Sequence, residues 1–349
     1  MKVHSAVTFA VIAAAWFTGT ASIAAPAQHY RIVEKIPLSG PVRWSELYVD
    51  SARHRLFIAR SSFVSVIDTA TDTEIGRIPG TQSMHAIAVL DKLGLGFTTD
   101  GGSDRVIVFN LKTLAVKTAI PVHKYPDGIV ADPSTNRVIC MNAKSDDLSI
   151  IDGGSLSVLA TVKLNGRPED YETDDAGHVF THYKGTTEVA EVDESTAKIL
   201  KEWPLAPASD PDGMALYRKR GLLFSACDNN LLAVSSVVKS KLVATVAIGA
   251  GPDQLAIDQS SETVFVPCGD DGIIDVVERN AGGRYAVVDH AQSQFGARTI
   301  AYDPLTKTLY TCTAAPAPHS TSADDDSDGD RKAHWLVNSF VVLVLKSRK

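Results

Sequence analysis

Closely spaced cysteines are missing from this sequence. Its four, Cys140, Cys227, Cys268 and Cys312, are far apart, and each lies in an apolar, strand-like run (VICMN, LFSAC, VFVPC, LYTCT). Without a CxxC pair, zinc-ribbon and thioredoxin-type chemistry lose their ligands, and without CxxCH covalent c-type haem is excluded. The four therefore read as buried single thiols. No GxSxG occurs, and no cysteine has an evident His and Asn setting, so the sequence shows no activated nucleophile. Positive charge is also short. Lys and Arg number 34 against 41 Asp and Glu, a net charge of −7, which argues against a partner as anionic as duplex DNA. Amphipathic helical patterning is scarce, whereas 24 glycines and 16 prolines supply many turns. Hydrophobic residues at 44% and charged residues at 21% still imply a folded, soluble body.

Long apolar runs are lacking too. Ala6 to Phe17 follows Lys2 and is too short to span a bilayer comfortably, and Phe340 to Leu345 is strand-sized. The first run has the form of a secretory leader, with small-x-small patterns at Ser22-Ile23-Ala24 and Ala25-Pro26-Ala27. Residues 1–27 are expected to be a signal peptide cleaved after Ala24 or Ala27. The mature chain, 28–349, is then expected in the periplasm or secreted, with no transmembrane segment, as a monomer.

What the sequence has in abundance is internal repetition. An apolar run ending in Asp recurs at Asp50, Asp91, Asp132, Asp174, Asp258 and Asp303, with Tyr217 filling the fifth place. Successive anchors are 41, 41, 42, 43, 41 and 45 residues apart. After each comes a polar turn and a second apolar run, such as LFIAR from Leu56 or VICMN from Val138. A third ends near Asp or Asn (VSVID at Asp68, VIVFN at Asn110, LSIID at Asp152, VAEVD at Asp193), and a fourth follows, as in EIGRIPG and LVATVAIGAG. Alternating and β-branched residues bounded by turn residues read as strands, and four short strands per repeat make one propeller blade. Seven anchors give an all-β, seven-bladed β-propeller. The seventh repeat supplies three strands, and RIVEKIPLSG from Arg31 matches the fourth, so the N-terminal strand is expected to close the last blade.

The repeat phrase runs from a small turn and Pro through an apolar run to Asp, a VFV-type strand, a VSVID-type strand and an ATV-I-x-G strand. It resembles the YVTN repeat of the YncE-like β-propellers, over Tyr30 to Lys346. The YVTN strand itself is replaced by LFIAR, GFTTD, VFTHY and LFSAC, and only VICMN keeps its terminal Asn, Asn142. The resemblance implies the propeller fold. That superfamily holds binding proteins, lactonases and cofactor-bearing domains, so function has to be argued from the site.

Loops entering the innermost strands gather at one mouth of a propeller channel. Five residues before each anchor stand Ser45, Ala86, Asp127, Glu169, Asp212, Asp253 and Arg298, with Trp44, Glu46 and His85 adjacent. A ring with four acids and one Arg is the candidate site for a cation, a metal or a substrate with a positive group. The competing reading makes the acids turn caps, since Pro126, Pro168, Pro211 and Pro252 precede them. His178 and His182 flank a strand about 13 Å long and cannot share one ion. His85 and His123 lie nearer the ring but lack a clear third partner.

One further feature is an insertion of about 25 residues in the last blade, 314–338, expected to be a flexible acidic loop. Asp324, Asp326, Asp328 and Gly329 spell DxDxDG, the front half of a calcium loop, but the twelfth position is Trp335 instead of Glu. The functional expectation is an exported, non-catalytic propeller that binds a small molecule or protein partner at its mouth, with a divalent cation as a possible cofactor. The alternative is a lactonase-like, metal-dependent hydrolase. It is disfavoured because six-bladed metal lactonases use a Glu, Asn and Asp set, whereas this ring lacks Asn.

Overall fold

The computed structural model describes residues 30–317, 324–325, 331–332 and 335–347. The expected leader lies outside them. Seven four-stranded antiparallel sheets form a seven-bladed propeller, the first six running from the channel outward in chain order. The innermost strands of blades 1 to 7 are Leu47–Asp50, Ile87–Leu90, Pro126–Asp132, Pro168–Thr173, Pro211–Tyr217, Ala256–Asp258 and Ile300–Asp303. Blade 7 is closed as the repeat count requires. Tyr30–Pro37 pairs antiparallel with Val341–Ser347, which pairs with Thr308–Thr313.

The polar residues of the repeat build its turns. The anchor carboxylates of Asp132, Asp174, Asp258 and Asp303 each accept the backbone N–H two residues on, at 2.7, 2.9, 2.8 and 2.9 Å. The Asp or Asn that ends the third strand does the same: Asp68 to Ala70, Asn110 to Lys112, Asp152 to Gly154 and Asp193 to Ser195. An Asx turn at each corner satisfies a donor the sheet leaves over and fixes where the next strand starts. The third-to-outer strand pair carries a register shift in every blade, at Val66/Ile67, Val108/Phe109, Ile150/Ile151, Glu191/Val192, Val234/Ser235 and Val276/Val277, and at Ile32/Glu34 in the closing strand. Such bulges increase twist towards the rim.

Second and third strands are buried on both faces, because each blade is sandwiched between two others; Leu222–Cys227 and Thr263–Cys268 are buried throughout. Their near-continuous apolar runs follow from that position. Aromatic pairs such as Phe57 with Phe109 and Phe224 with Tyr285 fill the inter-blade seams. All four cysteines are buried and unbonded. Burial pushes the thiols of Cys227 and Cys312 up to about 12, which removes thiolate reactivity near neutral pH.

Blades meet most closely at the channel. A Cβ on Gly213 would stand 1.7 Å from the Asp253 carbonyl oxygen, so only glycine lets blade 5 approach the loop of blade 6 there. Side chains also bond across the channel edge. The Gln254 amide accepts from Leu47 N–H (3.1 Å) and Ile300 N–H (3.2 Å) and donates to the Leu47 carbonyl (2.9 Å), joining blades 6, 1 and 7. Thr99 donates to the Asp127 carbonyl and accepts from Ala86 N–H, joining blades 2 and 3.

Most of the insertion falls outside the described residues, among them Asp326 and Asp328 of the DxDxDG sequence. Near its ends, Pro316 bridges to Trp335, and Asp324–Asp325 pairs with Arg331–Lys332. No helix among the described residues is long and apolar enough to cross a membrane.

Candidate functional site

The mouth at the entry end of the innermost strands holds a cavity of about 100 Å³. Its wall brings together six of the seven ring positions, Ser45, Asp127, Glu169, Asp212, Asp253 and Arg298, with the adjacent His85. It also includes Glu46, Arg167, Asp170, Lys184 and Gln254. One ring position and one expected neighbour are placed elsewhere. Ala86 is fully buried, and Trp44 packs in the core against Trp335 and Phe340, with ring centroids 5.2 and 5.5 Å away. Trp44 therefore does not line the cavity, because the chain turns inward only at Ser45.

The ring carboxylates of Asp127, Asp212 and Asp253 face side chains of neighbouring blades, and Glu169 faces two cations of its own blade. His85 Nδ1 lies 3.3 Å from Ser45 Oγ and 3.1 Å from Asp127 Oδ1. Asp127 Oδ2 is 3.7 Å from Arg167 Nη2, and Arg167 Nε is 3.9 Å from Glu169 Oε2. Lys184 Nζ then bridges Glu169, at 3.9 Å, and Asp212, with which it forms a close ion pair. On the far side, Arg298 Nε donates to Asp253 Oδ2 at 2.6 Å. Charges thus alternate from Asp127 to Asp212, through blades 3 to 5, and a separate pair joins blades 6 and 7.

Arg167 and Lys184 are the residues that the single ring column missed. A second column would have found them. In blades 3 to 6 the residue after the second strand donates its N–H to the carbonyl two places before the ring position: Ala143 to Tyr125 (2.9 Å), Lys184 to Arg167 (2.8 Å), Asp228 to Asp210 (3.0 Å) and Gly269 to Gly251 (2.9 Å). In blade 4 both partners of this backbone pair are cationic, which places two positive side chains beside the acids.

Below the ring, Glu46, Asp170 and Gln254 line both this cavity and a larger one of about 350 Å³ at the opposite end of the channel. They form the partition between the two. Tyr171 OH donates to Glu46 Oε2 at 2.6 Å, and Asp170 accepts from the backbone N–H groups of Tyr171 and Met214. The second cavity is walled by apolar residues such as Ile87, Val130 and Leu255, with Arg218 held by Glu172 (3.1 Å) and Asp175 (2.9 Å).

Six carboxyl groups therefore face three permanent cations in the mouth. Burial raises Glu46, Asp170, Asp212 and Asp253 above the ordinary carboxylate range, and Glu169 rises to about 8. Mutual repulsion adds to this, foremost from Asp170 on Glu46 and from Asp127 on Glu169. Burial alone would lower Lys184, but Asp212 and Glu169 outweigh it and hold the ammonium charged. Oε2 of Glu169 is buried without a hydrogen bond. The mouth is short of positive charge.

The histidines have separate settings. His178 bonds Asp174 at 2.8 Å and His123 bonds Asp147 at 2.7 Å. His182 is fully buried against Ser225 Oγ at 2.7 Å, and burial lowers it to about 3, so it is neutral. No group of three or more His, Cys, Asp or Glu is placed to hold a metal ion among the described residues.

No protein-family model and no curated protein matches the sequence. Solved structures do match the fold. A chain of Kuenenia stuttgartiensis hydrazine synthase is similar with a TM-score of 0.71 at 14% identity, over 88% of this chain and 96% of that one. At that identity the likeness is one of fold.

Proposed function

We propose that this chain is an exported, YncE-like propeller that binds a small molecule carrying a positive group in the charged mouth, without transforming it. The observation that carries the reading is the imbalance of the cavity, six carboxyl groups against Arg167, Lys184 and Arg298. Like charges held away from water repel more strongly than in water, so a positive guest gains from every unpaired carboxyl it faces. Export rests on the leader-like first 27 residues, and the family likeness on the repeat phrase.

Binding is favoured over metal-assisted hydrolysis because Asp127, Glu169, Asp212 and Asp253 are each already engaged by Arg, Lys or His. A doubly charged ion would feel twice the repulsion from those cations that a singly charged ammonium feels. The test is thermal unfolding with matched small solutes. Methylammonium and ethylammonium should raise the melting temperature in a saturable way, whereas methanol and propionate should not. Equal stabilisation by propionate, or none by any ammonium, would remove the reading.

A further inference from the structure

The cavity of about 350 Å³ beneath the partition is walled by the innermost strands of blades 1 to 6, whose alternate side chains point into the channel. Ile87, Val89, Val130 and Leu255 give its sides a hydrocarbon surface, beside the rings of Tyr48 and Tyr171. Its roof is tied in place. Glu46 Oε2 accepts from Tyr171 OH at 2.6 Å, Asp170 accepts from the N–H groups of Tyr171 and Met214, and Gln254 is bonded to Leu47 and Ile300. At its foot Arg218 of blade 5 reaches across to blade 4, with Nη2 3.1 Å from Glu172 Oε2 and Nε 2.9 Å from Asp175 Oδ2. Among the described residues of the wall Arg218 is the one cation, against the carboxyls of Glu46, Asp170, Glu172 and Asp175. Since Arg218 is engaged by Glu172 and Asp175, the excess of acid stands at the roof, and the hydrocarbon lies between roof and foot.

We propose that this chamber is a second binding site, separate from the charged mouth, and that it takes a compact hydrophobic amine. The ammonium seats at the roof beside Glu46 and Asp170, and the hydrocarbon body packs against Ile87, Val89, Val130 and Leu255. The volume falls within the range of small-molecule sites, about 300–1,000 Å³, and apolar walls with a few convergent polar groups are their usual form. An ammonium suits the roof because it offers three donors and no acceptor, and carboxyl oxygens accept hydrogen bonds in either protonation state. A carboxylate of the same shape would face four acids with the one cation already held, and an alcohol would bring a single donor and no charge. The site stands independently of the mouth. The partition divides the two cavities, and Asp127, Glu169 and Asp212 of the ring do not line the chamber.

Calorimetric titration at pH 8 with benzylammonium, benzyl alcohol and phenylacetate, which share one aromatic ring, tests the site. Benzylammonium is expected to bind, benzyl alcohol at least about tenfold more weakly, and phenylacetate not measurably. Val130→Phe, which fills the chamber, should weaken benzylammonium at least about tenfold, whereas Asp127→Asn, on the wall of the mouth alone, should leave its affinity within about threefold. Should Val130→Phe fail to fold, the Asp127→Asn comparison still locates the guest. Loss of benzylammonium binding in Asp127→Asn, undiminished binding in a folded Val130→Phe, or equal binding of the alcohol or the carboxylate overturns the proposal. Absence of benzylammonium binding overturns it too, and methylammonium titrated separately shows whether the mouth survives that failure.

Discussion

A chain lacking Tyr30–Pro37 should fail to unfold as a single cooperative unit and should be recovered largely as aggregate. The strand contributes seven paired positions along Val341–Ser347 and buries Tyr30 and Ile36. Tyr30 stacks edge-on against Phe265 of blade 6, with centroids 5.2 Å apart, and its N–H bonds Asp289 at 3.2 Å. Truncating each of two buried side chains costs roughly 2–5 kcal/mol. Together that approaches the whole stability of a typical domain, about 5–15 kcal/mol. The exposed Val341–Ser347 edge would then pair with other chains. Scanning calorimetry and size-exclusion chromatography check this. A truncated protein that is monomeric and melts like the intact one would refute the closure.

Lys184→Gln should show the second large effect, and a pH-dependent one. Lys184 is the cation shared by Glu169 and Asp212, and both carboxyls are mostly shielded from solvent. Removing one member of a buried ion pair costs about 3–5 kcal/mol, because the remaining charge is left uncompensated. Both carboxyls already lie above their ordinary range, Glu169 at about 8. For an acid raised on folding, the associated stability is fully present below its unfolded value and is lost as pH rises through the folded value. The deficit of Lys184→Gln relative to wild type should therefore be largest near pH 8.5 and shrink towards pH 5.5, where Glu169 holds its proton. His182, buried neutral, costs stability as pH falls below its ordinary value, but equally in both proteins, so it cancels. Paired thermal melts across that range measure the difference. A deficit independent of pH would mean that Lys184 acts through packing alone.

The fold was legible because the repeat writes it several times over. Asp132, Asp258 and Asp303 mark the ends of innermost strands because each closes its corner with an Asx turn, and the same turn recurs at Asp68, Asn110, Asp152 and Asp193. The closing strand could be found for the same reason, as a fourth phrase displaced to the N-terminus. The mouth was half legible. One column of the repeat gave Asp127, Glu169, Asp212, Asp253 and Arg298, all on the cavity wall. Arg167 and Lys184 break the repeat in blade 4 only, so they signal a site precisely where periodicity stops informing. Trp44 shows the opposite limit, since adjacency in sequence to Ser45 says nothing about which way a side chain turns. The partners of the ring acids were not legible either, because ion pairs between blades join residues about 40 apart whose side-chain directions no strand pattern fixes.

The central claim is that the ring acids serve a guest and not their turns. Its most direct test is the affinity for methylammonium of Asp127→Asn, Glu169→Gln, Asp212→Asn and Asp253→Asn, measured by calorimetry beside the wild type at pH 8.5, where Glu169 is mostly ionised. Removing one charge facing a bound cation in a partly desolvated cavity is worth on the order of 1–3 kcal/mol, about tenfold or more in Kd. The account predicts weaker binding in all four, with each variant still folding cooperatively. Unchanged affinity in all four, or equal loss of stability with no effect on binding, would contradict it.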